Sequence, residues 1–203
     1  MYEMRALPAL GRIKEVNKLI DESVTLPPQQ GNPVQHMLLA ARELRAHGYR
    51  QASLKVIERA YKWLESRPEE SESRSHRNAL VSALYIAERW EEAHSIVEAL
   101  HKEFPDGIVY LGYLGSLAAR RGDKEEAHRI SILLENMDRP YIFNAHTFWR
   151  ARIASLLGDK ENAVRLLREA LALGVYYTAL HPMMDFEPLQ DYPPFQELIK
   201  PKG

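Results

Sequence analysis

Glu88-Arg89-Trp90-Glu91-Glu92-Ala93, Gly122-Asp123-Lys124-Glu125-Glu126-Ala127 and Gly158-Asp159-Lys160-Glu161-Asn162-Ala163 are three versions of one phrase. Their closing alanines stand 34 and then 36 residues apart. Gly48-Tyr49-Arg50-Gln51-Ala52 reads as a fourth copy, one residue shorter, and Gly11-Arg12-Ile13-Lys14-Glu15-Val16 as a fifth with valine in the alanine slot. Each phrase has the same physical sense. A glycine can take the left-handed conformation that ends a helix. Acidic residues then suit the first turn of the next helix, whose amide dipoles point outward. A small alanine lets that second helix cross its partner closely.

Around each phrase apolar residues recur at helical spacing. Leu80, Leu84 and Ala87 precede Trp90, and Ala93, Ile96, Val97 and Leu100 follow it. Pro105 stands where that second helix must stop. One helix, a tight turn and a second helix, repeated at this period, resembles the tetratricopeptide-repeat family over most of residues 1–174. The resemblance implies an all-α, right-handed α-solenoid of four to five helix pairs. We divide it into a partial first pair over 1–26, a linker over 27–33, four pairs over 34–174 and a helical capping segment over 175–203. Glu69-Glu70-Ser71-Glu72-Ser73-Arg74 carries no apolar residue and reads as an exposed loop.

Composition narrows the function. The 203 residues include 27 Lys+Arg against 28 Asp+Glu, a net charge of −1, which offers no global attraction to nucleic acid or an anionic membrane. The absence of cysteine rules out disulfides, thiolate metal sites and cysteine nucleophiles. No apolar run approaches the roughly 20 residues that span a bilayer, and no basic-then-apolar leader opens the chain, so the cytoplasm is the default compartment. No Gly-x-Ser-x-Gly turn supports a nucleophilic triad, and Gly112-Tyr113-Leu114-Gly115 lies inside a helix with no phosphate-loop lysine after it. His94, Glu98 and His101 share one helix face, and Glu91-x-x-His94 recurs as Glu125-x-x-His128. Di-iron sites built from such pairs need further carboxylates converging from other helices. A solvated outer face is the better reading, so neither metal, cofactor nor enzymatic activity is expected.

Dense apolar and aromatic residues after Gly174 predict short helices folded over the last pair. Within them, Asp185-Phe186-Glu187-Pro188-Leu189 and Tyr192-Pro193-Pro194-Phe195-Gln196-Glu197-Leu198 are similar to the closing segment of tetratricopeptide regions in bacterial signalling proteins, among them serine/threonine kinases, cyclases and transcription regulators. The short start before Gly11 predicts that the chain is the C-terminal part of such a larger protein.

Tetratricopeptide arrays hold extended peptides or helices in a concave groove lined by the first helix of each pair. Counting back from each phrase, the resemblance places in that groove Gln35, Leu38, Arg42 and Arg45; Ser75, Asn78, Ser82 and Tyr85; Val109, Gly112, Ser116 and Ala119; and Ala145, Phe148, Arg152 and Ser155. Tyr113, Arg120 and Trp149 fall at its rim. Arginines and aromatics are the side chains that most often carry interface energy. Gln35, Arg42, Arg45, Asn78, Tyr85, Tyr113, Phe148, Trp149 and Arg152 are therefore the candidate contacts, and a protein or peptide the expected partner. The lysine–asparagine clamp that some family members close on a chaperone's C-terminus is absent from these slots. A regulatory or self-association arm of a signalling enzyme or transcription regulator is the alternative. Nothing in the sequence gives the oligomeric state.

Overall fold

The computed structural model describes residues 3–26, 32–137, 145–175 and 180–200, and these are helical, with no strand among them. The chain divides after Ala93 into two compact units, a break inside the predicted 34–174 array. In the first unit α1 (Glu3–Ala9) packs on α2 (Ile13–Thr25) and α3 (Pro33–Ala46). The most extensive pairing there joins α3 to α4 (Arg50–Glu65), and α5 (Arg74–Ile86) packs on both. Helix α6 (Trp90–Glu103) begins in this unit. In the second unit α7 (Ile108–Arg120) pairs with α8 (Lys124–Glu135), and α9 (Ala145–Leu156) with α10 (Lys160–Ala172). Helix α9 also packs on α7 and α8. A 3-10 helix, Met184–Leu189, lies on α9, and α11 (Pro193–Ile199) touches α10.

The predicted turns recur at the level of single atoms. At Gly122, φ is +81°, its amide bonds the Ala119 carbonyl, and the next amide, of Asp123, reaches back to the Ala118 carbonyl at 3.0 Å. The corresponding six-to-one bonds run from Arg12 to Leu7, Tyr49 to Leu44, Arg89 to Leu84 and Asp159 to Ala154. Such a turn satisfies carbonyls that a helix end otherwise leaves open. Asp123 and Asp159 then cap the following helices, each accepting from the amide three residues on. One turn departs from glycine: Glu88 adopts φ +62°, a conformation costly for a residue with a Cβ.

The fourth copy is not short. Five residues after the turn, Val16, Ala93, Ala127 and Ala163 are fully buried. Counted from Gly48, that place belongs to Ser53, at 2% exposure, rather than to half-buried Ala52. The Ser53 hydroxyl donates to the Ala41 carbonyl of α3 at 2.7 Å, which lets a polar side chain fill a slot meant for a methyl group.

The linker ends earlier than expected, because Asn32 accepts from the Gln35 amide and Pro33 opens α3. Its residues 27–31 lie outside the described part. The acidic stretch after Pro68 forms one 3-10 turn and is exposed throughout. In the second unit α9 crosses α7 over two glycines. A Cβ on Gly112 would meet the Trp149 ring at 2.1 Å, and one on Gly115 would meet Ile153 Cδ1 at 2.5 Å. No described helix is long and apolar enough to cross a membrane.

Gly122→Ala isolates the cost of the turn, because nothing lies within 4 Å of the added Cβ. We expect it to destabilise the chain by about 1–2 kcal/mol through backbone conformation alone, read from chemical denaturation.

Candidate functional site

In the first unit the predicted groove residues divide by depth. On α3, Leu38 is buried at 2% exposure, whereas Gln35 is exposed and Arg42 half-buried. Arg42 makes no hydrogen bond or ion pair with any described residue. Arg45 does not stand open: its Nη1 lies 2.8 Å from Glu88 Oε1, which also takes Arg50 Nη2 at 2.7 Å. The strained Glu88 turn thus carries a carboxylate that ties the end of α3, the start of α4 and the end of α5 together. On α5, Ser75 is exposed, and Asn78 and Ser82 are half-buried one and two turns on. Tyr85 continues that line but is buried, its ring edge-on to Trp90 with centroids 5.1 Å apart. It is a packing residue of the third pair and presents no contact surface. Gln35, Arg42 and Asn78 remain as accessible positions.

Glu43, on the same helix, is 4% exposed and lies 3.4 Å from Arg5 of α1. Desolvation raises its carboxyl above the usual range, and the attraction of Arg5 offsets only part of that.

The second unit presents its predicted groove residues differently. Arg152 is buried at 4% exposure, its Nε 2.6 Å from Asp185 Oδ2. Arg120, from α7, holds the other oxygen, with Nη2 2.5 Å from Asp185 Oδ1. Ser155 donates its hydroxyl to the Asp185 backbone carbonyl at 2.6 Å. Phe148 meets Phe186 edge-on at 5.7 Å, and Trp149 lies over Gly112 beside Tyr113, with the Arg152 guanidinium 3.6 Å above its ring. The C-terminal segment therefore fills the face that these slots were expected to leave open. It covers the last pair's apolar surface as well, because Leu180, Phe186, Leu189 and Phe195 join a buried cluster with Ala151, Ala154, Val164 and Leu167.

Phe148, Trp149 and Arg152 were read as open because helical spacing assigns a side chain to a face and says nothing of what covers it. Asp185 and Glu43 carried a signal that spacing alone does not weigh. Asp185 stands between Met184 and Phe186, and Glu43 beside Leu44, and a carboxylate that folding buries must find a cation or lose its charge.

Glu98 bonds Lys102, one turn on, which holds its carboxyl below the usual value. Among the described residues no three His, Asp or Glu side chains gather as a metal would require. No protein-family model matches the chain, and no curated protein or solved structure does either.

Two measurements test these environments. Asp185→Asn removes the carboxylate that meets buried Arg152 and partly buried Arg120, and should cost about 3–5 kcal/mol in denaturant unfolding. For Glu43 the folded state holds its proton more tightly than the unfolded state. That contribution is complete below the ordinary glutamate range and is lost as pH rises through the raised folded value. Glu43→Gln should therefore gain in Tm on the native chain between about pH 4 and pH 7.

Proposed function

We propose that the chain is a protein-interaction module of tetratricopeptide type, a right-handed α-solenoid of helix pairs that works by binding and performs no catalysis. The observation that carries this reading is the turn repeated between successive helices, with the same left-handed residue and the same six-to-one hydrogen bond. A chain built of such pairs exposes the first helix of each as a ready surface for an extended peptide or a partner helix.

Within the first unit that surface is formed by Gln35 and Arg42 of α3 and by Ser75 and Asn78 of α5. Arg42 is its leading contact, an arginine of intermediate exposure on α3. A guanidinium suits a carboxylate on the partner, bound through two parallel hydrogen bonds. Arg45 supports the surface from behind through Glu88.

Affinity capture from lysate, with the native chain and its Arg42→Glu variant as paired baits, tests the reading. We expect Arg42→Glu to melt within about 1 kcal/mol of the native chain, since the position is not fully buried. A partner held by the native chain should be lost from the variant. Identical capture by both baits would place binding away from this surface.

A further inference from the structure

The residues that fix Asp185-Phe186 are ones that the family resemblance assigns to a binding groove or its rim. They are Arg120 on α7 and Phe148, Arg152 and Ser155 on α9, reached across 65, 38, 33 and 30 residues of sequence. Together they read one short stretch of chain in full. Two guanidiniums take the carboxylate oxygens separately, a hydroxyl takes the main-chain carbonyl, and a phenyl edge meets the aromatic ring.

A hydrophobic cap needs none of that polar detail. Phe186, Leu189 and Phe195 already bury the apolar face of α9 and α10, and an isosteric apolar side chain at 185 would spare the desolvation of three charges. What the arrangement supplies is selectivity, because a buried charge pair rejects any segment lacking the carboxylate. The segment is made of short elements. It consists of a six-residue 3-10 helix and a seven-residue α-helix, following a turn at Gly174 with φ +103°. Phe186, Leu189 and Phe195 are fully buried, so an external ligand enters only by rebuilding the same contacts.

We propose that the α7–α9 face is a peptide-binding site for a segment presenting aspartate followed by an aromatic residue, and that the chain's own Asp185-Phe186 occupies it in cis. The external ligand is a partner segment with the same acidic–aromatic pair, which enters by displacing the C-terminal segment. Tethering gives the cis segment a high effective concentration, so the site answers only to a ligand that is abundant or better matched. This inference does not depend on the Arg42 surface, which belongs to the other unit.

The test uses the full chain with a protease recognition sequence inserted after Gly174 and cut while folded. The released segment should stay bound and then exchange for a fluorescent synthetic peptide spanning residues 180–199, followed by anisotropy. The same peptide carrying Asp185→Asn should bind at least about tenfold more weakly, the loss expected when a charged hydrogen-bond pair is removed. A cut chain that loses its helical signal, or that keeps its segment without exchange, would overturn the proposal, since the segment would then be core. As a second measurement, the uncut Phe186→Ala chain should take up the labelled native peptide at least about tenfold more tightly than the uncut native chain. Equal uptake by the two would overturn it too.

Discussion

Everything in this molecule depends on a reversal of direction that closes over a handful of atoms. Two helices can bury their apolar stripes against each other only if the chain turns back within two or three residues. The turn must also leave no carbonyl without a partner. A single left-handed residue with a six-to-one hydrogen bond meets both demands. Because the same solution recurs at Gly11, Gly48, Glu88, Gly122 and Gly158, each pair starts from the same geometry. The fully buried residue five positions later in each case is a consequence of that start.

This local origin explains what could be read in the sequence. Glycine, aspartate and alanine at fixed offsets speak of backbone conformation, capping and close approach, none of which depends on distant residues. The turns and the helices beside them were legible for that reason. The fourth copy was misread by one position because alanine was sought as a letter, whereas the slot demands only small volume and satisfied polarity. Ser53 meets both by bonding Ala41.

What could not be read depends on the partners that cover a face. Helical spacing put Arg152, Phe148 and Tyr85 on a face, but coverage of that face comes from Asp185, Phe186 and Trp90. For Arg152 and Phe148 the partner lies tens of residues away, and such pairing leaves no periodic trace. The result is an asymmetry between the two units. The first keeps Gln35 exposed and Arg42 half-buried on α3, while the second closes its equivalent line with its own C-terminal segment.

Glu88 places a different demand on the molecule. Its backbone occupies a conformation that glycine would hold at no steric cost, and its carboxylate collects Arg45 and Arg50 in return. The two sides of that exchange respond differently to the surrounding solution. Steric strain in the backbone is indifferent to dissolved ions, whereas the attraction of Glu88 for exposed Arg50 fades as the screening length shrinks to about 3 Å in molar salt, and that for the more buried Arg45 fades less. At this one turn, ionic strength acts on main-chain geometry, and the seam between the second and third helix pairs loosens in brine before the glycine turns do.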